Sequence, residues 1–248
     1  MNKLAELWSD IVQCWSDSSM QYLTGALKTI ELAVIATIIG CLIGLVCGII
    51  QTIPCGKKDN IVKRVILGIV KAIVRIYVEV FRGTPMIIQA IFIFYALPYF
   101  SNGAINLEPT FAAYLVVSIN TGAYMAETVR GGIMSIDVGQ TEGAMSIGMN
   151  HFKTMLYVIL PQTMQGIKTG ITMVFVPSVS TFVISRMLGG GSELMVGDLI
   201  EMQFGSNNYN PNLGSAISLV LMIIVLICMS VMNQFDSDNI DKEGRLAI

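Results

Sequence analysis

The chain has 248 residues, 54% hydrophobic and only 13% charged, with a mean hydropathy of +0.68. Soluble domains carry about a quarter charged residues, so this composition describes a chain built for lipid. A formal net charge of −2 gives no electrostatic footprint for nucleic acid, and five cysteines (Cys14, Cys41, Cys47, Cys55, Cys228) without CxxC spacing speak against a disulfide framework or a metal cluster.

In chain order, residues 1–22 form an external N-terminal segment with Glu6, Asp10, Asp17 and two tryptophans. A cleavable signal would show a basic region and then an apolar core, so the first span is expected to be an uncleaved anchor. That span covers about Leu23 to Ile50, long enough to cross a bilayer. Gly40, Gly44 and Gly48 fall on one of its faces and predict close helix packing. Glu31, near its outer end, is expected to pair with Lys28 or to sit among headgroups. The second apolar run, about Val65 to Leu97, is too long for one plain helix and contains Arg75, Glu79, Arg82, Gly83 and Pro85. A break near Gly83–Pro85 is expected, with Glu79 able to pair with Arg82 or with Arg75. The third span covers about Thr110 to Ile133, with Glu127 and Arg130 toward its cytoplasmic end.

A polar island follows, QTEGAMSIGMNHFKTMLYVILPQ, from Gln140 to Gln162. Gln140–Ile147 and His151–Ile159 read as short amphipathic helices, with Gly148 as the turn between them. Pro161 is expected to break the second helix before the next span. Gly143 and Ala144 keep one surface shallow, and Glu142 offers a carboxylate there. His151, the only histidine, reads as a surface residue. The fourth span runs from about Ile167 to Ser185 with Pro177 inside it, and the fifth from Leu213 to Met232. Pro177 frees a backbone carbonyl that Ser178, Ser180 or Thr181 could satisfy, which predicts a gate-lining stretch. The tail, 236–248, is mixed in charge and expected to be poorly ordered.

Five spans put the termini on opposite sides. Lys57, Lys58, Lys63 and Arg64 lie in one loop, and Arg130, His151, Lys153 and Lys168 lie in or beside the island. Both loops fall on one side, which the positive-inside rule makes cytoplasmic. The N-terminus then faces out and the tail faces in. The expected fold class is an all-α membrane protein of about five transmembrane helices, with a permease domain over 23–235 and a cytoplasmic loop over 136–162.

The island's spacing resembles the EAA loop of bacterial ABC importer permeases: Glu-Ala-Ala, three residues, Gly, nine residues, Ile, any residue, Leu-Pro. Glu142-Gly143-Ala144, Gly148, Val158 and Leu160-Pro161 occupy those places, with Gly143 for alanine and Val158 for isoleucine. Val78–Pro98 (VEVFRGTPMIIQAIFIFYALP) and Asn120–Ala144 resemble the polar amino-acid permeases, a resemblance that covers about Gln21 to Gln162. Gly170–Leu226, with FVPSVSTFVIS, the LGGG turn at Leu188–Gly191 and GDLIEMQF, resembles instead the last spans of spermidine/putrescine permeases. A hybrid is expected, joined between about Met149 and Lys168.

The resemblance implies a type I importer fold in the bacterial inner membrane and a non-catalytic subunit of an ATP-driven pump. It also implies the partners: ABC ATPase subunits that bind the ATP and magnesium, a second permease subunit, identical or not, and an extracellular or periplasmic substrate-binding protein. No GxxxxGK[ST] loop is present, so nucleotide binding falls to the partner. Glu142, Gly143, Ala144, Gly148, Val158, Leu160 and Pro161 would form the ATPase-coupling surface. Charged groups inside spans are costly and mark function by default. Glu79, Arg82, Thr84, Pro177, Ser178 and Ser180 are therefore pathway or gate candidates, with a structural ion-pair ladder as the plainer reading of the charged ones. Glu127 and Arg130 are expected to orient the island. The cargo reads as a polar amino acid, with a polyamine as the alternative. A channel or scaffold without ATPase coupling would explain the spans but leave the island idle.

Overall fold

The computed structural model describes residues 3–56, 60–179, 195–205 and 209–246. Helix α1 spans Lys3–Thr52, so the N-terminal segment is continuous with the first span. α2 spans Ile61–Gly83, α3 Met86–Ile91, α4 Leu97–Phe100, α5 Pro109–Ser135, α6 Val138–Ser146, α7 His151–Thr154 and α8 Leu160–Val179. α9 (Val196–Phe204) and α10 (Pro211–Leu246) complete the described elements. Among them, Leu23–Thr52 and Pro211–Val231 are long and apolar enough to cross a membrane, and Met86–Phe100 and Gly166–Val179 are shorter apolar helices. The tail, expected to be poorly ordered, is helical as far as Leu246, Gly244 included.

The expected break after the second span is present. α2 stops at Gly83, Thr84 is extended (φ −116°, ψ 143°), and α3 starts after Pro85. The proline ring disfavours the helical conformation in the residue before it, and Thr84 takes the extended one.

Two Leu-Pro steps leave their helices unbroken. Phe92–Ala96 and Met155–Ile159 are π-turns, and in each the next leucine donates its N–H five residues back, Leu97 to Phe92 and Leu160 to Met155. Pro98 and Pro161 follow at once. The widened turn accommodates a residue with no N–H to place. The expectation that Pro161 breaks the second island helix is thus corrected: the chain stays helical from His151 to Val179.

The chain divides into two compact units, residues 36–89 with 117–174, and residues 1–35 with 90–116 and 175–248. In the first unit, α1 lies against α5 along its glycine face. A methyl at Gly40 would meet Thr121 Cγ2 at 2.5 Å and one at Gly48 would meet Val129 Cβ at 2.7 Å, with Gly44 as tight against Met125. The glycines are the packing face the sequence predicts. Met125, Val129, Ile133, Ile159 and Ile167 form the core beside them. α2 joins through Val74 and Val78, which bury against Ala126, and through Tyr77, whose hydroxyl donates to the Ile119 carbonyl at 2.6 Å. In the second unit, Ala33, Phe175 and Val179 pack with Leu221 and Val225. Val196 donates its N–H to Thr29 Oγ1 at 3.3 Å, and Asp198 accepts the N–H of Met195 at 2.9 Å.

Candidate functional site

Two features of the first unit carry chemistry: the island and a charged cleft. The island begins where Asp137 caps α6, accepting the N–H of Gly139 at 2.7 Å. α6 ends at Ser146, and Gly148 turns the chain with φ +87°, in the left-handed region that glycine alone enters without strain. Asn150 then caps α7, accepting the N–H of Lys153 at 2.8 Å. Gln162 Nε2 reaches back to Gln140 Oε1 at 3.4 Å, tying the two ends of the island together.

This geometry sorts the coupling candidates. Glu142, Gly143 and Gly148 are exposed, with no atom within 4 Å of a methyl built on Gly143. Ala144 is buried. Val158 and Leu160 are half-buried and pack on the Met125 core, while Pro161 is exposed. Ile147 and Phe152 stand out beside the turn, 79% and 74% exposed. The outer surface is a carboxylate, a bare glycine backbone and two large apolar side chains.

The cleft lies between α2 and α5 and encloses about 480 Å³. α2 is two-faced. Val62, Ile66, Ile69, Ile73, Ile76 and Val80 form an exposed apolar stripe at helical spacing. Lys71, Arg75, Glu79 and Arg82 form the opposite stripe, which lines the cleft with Glu127 and Arg130 of α5. Arg130 chelates the Glu127 carboxylate through Nη2 and through Nε at 3.1 Å. Arg82 Nη1 stands 3.8 Å from the same carboxylate and its guanidinium 5.6 Å from the Tyr124 ring centre. Lys71 Nζ donates to the Ile53 carbonyl at 2.6 Å. The pairs expected within α2, Arg82 with Glu79 and Arg75 with Glu79, do not form among the described residues. Arg82 reaches Glu127 on α5 instead, across the contact between the two helices.

At the α2–α3 break, Thr84 Oγ1 donates to the Val80 carbonyl at 2.8 Å and accepts from Gln89 Nε2 at 2.9 Å. Gln89 also donates to the Phe81 and Thr84 carbonyls, and Asn120 Nδ2 donates to Phe81 O and Gln89 Oε1, both at 3.1 Å. Gln89 and Asn120 are buried, and sequence reasoning missed both. The available signal was an amide inside each apolar run, MIIQAIF and VVSINTGAY. Pro177 sits exposed within α8 and Ser178 is buried beside it, whereas Ser180, Thr181 and the LGGG turn lie outside the described residues.

The unit thus combines a break hydrogen-bonded to α5, a two-faced α2 and a bent surface loop beyond the end of α5. Residues 44–237 match the family model of binding-protein-dependent transport system inner membrane components. The chain belongs to this family. Members are non-catalytic membrane subunits of transporters. Among similar proteins, the glutamine transport system permease protein GlnP of Escherichia coli K12 is 26% identical over 218 residues, covering 86% of this chain and 90% of that one. The L-cystine transport system permease protein TcyB of Bacillus subtilis 168 is 35% identical over 137 residues, 54% of each chain. Among solved structures, an amino acid ABC transporter crystallised with histidines matches with a TM-score of 0.70 and 25% identity, covering 89% of this chain and 94% of its own. The MetNI methionine ABC transporter shares the fold, with a TM-score of 0.69 at 19% identity.

These matches bear on the expected seam. The GlnP alignment is longer than the stretch from Gln21 to Gln162, so similarity to that permease continues beyond the island. A switch to polyamine-permease sequence after about Lys168 finds no support.

Proposed function

We propose that this chain is the pathway-forming permease subunit of a binding-protein-dependent ABC importer for a polar amino acid. In this reading it crosses the bacterial inner membrane five times, with the N-terminus outside and the tail in the cytoplasm. The observation that carries the proposal is the island: a capped helix, a glycine turn with positive φ and a second capped helix, with Glu142 and Gly143 exposed. Such a surface has no use in a free-standing channel. The substrates named for these relatives, glutamine and cystine, support an amino-acid cargo.

In the working complex a second permease subunit completes the pathway, and two ATPase subunits bind ATP and magnesium on the cytoplasmic side. Closure of the ATPases would push on α6. α6 follows α5 after a two-residue step, and Glu127 and Arg130 lie about two to three turns back along α5, so the push would reach the cleft through a helix of fixed pitch. An external binding protein would deliver solute to the outer surface, including residues 99–109. Pro177 and Ser178 would contribute to the gate.

Co-purification tests the proposal. Wild-type permease should retain an ATPase subunit, and Glu142→Lys or Gly148→Lys should lower the retained fraction about tenfold or more, since a misplaced charge at an interface costs a few kcal/mol. An ATPase retained equally by both variants would remove the island from the coupling surface, and no ATPase with wild type would favour a scaffold.

A further inference from the structure

Four of the charged positions of α2, at 71, 75, 79 and 82, lie on one face of the helix over about 16 Å. With Glu127 and Arg130 the cleft holds four cations and two carboxylates. Their partners are unevenly distributed. Glu127 is taken by Arg130 and Arg82, and Lys71 is held by the Ile53 carbonyl. Arg75 and Glu79 form no ion pair among the described residues, though they stand one turn apart on the same face. Gln51 adds a buried amide nitrogen on the cleft wall without a hydrogen-bond partner.

A stripe of this kind cannot face hydrocarbon without several kcal/mol of cost. It is also poorly suited to pairing with the same stripe of a second copy, since both would carry an excess of positive charge. An open cation, an open anion one turn away and a spare amide donor are what the α-carboxylate and α-ammonium of one amino acid require. We propose that the α2–α5 cleft is the subsite that reads the zwitterionic end of the transported amino acid, with Arg75 (helped by Gln51) on the carboxylate and Glu79 on the ammonium. The inference rests on the amino-acid importer reading above. It adds that polycations are rejected, because the excess positive charge of the cleft opposes them.

The test uses the assembled permease–ATPase complex in lipid nanodiscs and reads protection against thermal unfolding. The probes are the twenty proteinogenic L-amino acids and L-cystine, the amino alcohol of each protecting amino acid, and spermidine. At least one amino acid should protect, and its amino alcohol and spermidine should not. Arg75→Gln and, independently, Glu79→Gln should each raise the concentration for half-protection about tenfold or more, the loss of one charge-assisted contact. Ile73→Ala, on the apolar face of α2, should leave it unchanged. Protection that persists in Arg75→Gln and Glu79→Gln, or that is lost equally in Ile73→Ala, overturns the subsite and leaves the importer reading standing. Protection by spermidine, or by no amino acid, overturns the amino-acid reading and the subsite with it.

Discussion

Helix α5 has two contrasting faces. Thr121, Met125 and Val129 receive the glycines of α1 so closely that no methyl fits between the backbones. Tyr124, Glu127 and Arg130 face the guanidinium of Arg82 across a cleft. The first contact is dry and made of shape. The second is wet and made of charge, with the Arg82 and Glu127 side chains 41% and 31% exposed. One face fixes where the helices stand, and the other leaves room for something to enter.

The largest effect should come from filling the dry face. Gly44→Leu would drive a branched side chain into Met125 and the backbone of Ala126, at about 3 kcal/mol or more. Fluorescence-detected gel filtration should show little folded protein, and a normal yield and melting temperature would mean that α1 does not approach α5 this closely. Next comes the amide that ties the break to α5. Asn120→Leu strands the buried Gln89 oxygen and should cost about 1–3 kcal/mol, read as a lower melting temperature. A smaller effect is expected across the cleft. A double-mutant cycle on Arg82→Gln and Glu127→Gln should give a coupling of about 0.5 kcal/mol, because a partly exposed pair at 3.8 Å is screened. A coupling above about 2 kcal/mol would show that the assembled complex dries this face too. The smallest change should follow Pro161→Ala, which restores an N–H inside an already continuous helix. Stability should move by less than about 0.5 kcal/mol, and a large loss would contradict the π-turn as the element that absorbs the proline.

What the sequence expressed clearly was local. The glycine spacing of α1, the break at Pro85 and the turn at Gly148 each depend on one residue's own backbone or on helical periodicity. What it concealed depends on neighbours in space. The partner of Arg82 is set by the register of α2 against α5, so counting along α2 pointed to Glu79 instead of Glu127. Pro161 reads as a breaker until the π-turn before it is seen, and the same turn recurs before Pro98. Gln89 and Asn120 each look like an isolated polar residue in an apolar run, and only the folded chain brings their amides together. Of the proposed coupling residues, the exposure of Glu142 and Gly143 was legible, whereas the burial of Ala144 was not.

The central proposal is that the island meets the ATPase. Site-specific photo-crosslinking in intact cells tests it most directly, with a photoreactive residue at position 143 and a control at exposed Ile88. The account predicts a crosslink from position 143 to a nucleotide-binding subunit and none from position 88. No such crosslink from 143, or an equal one from 88, would contradict it.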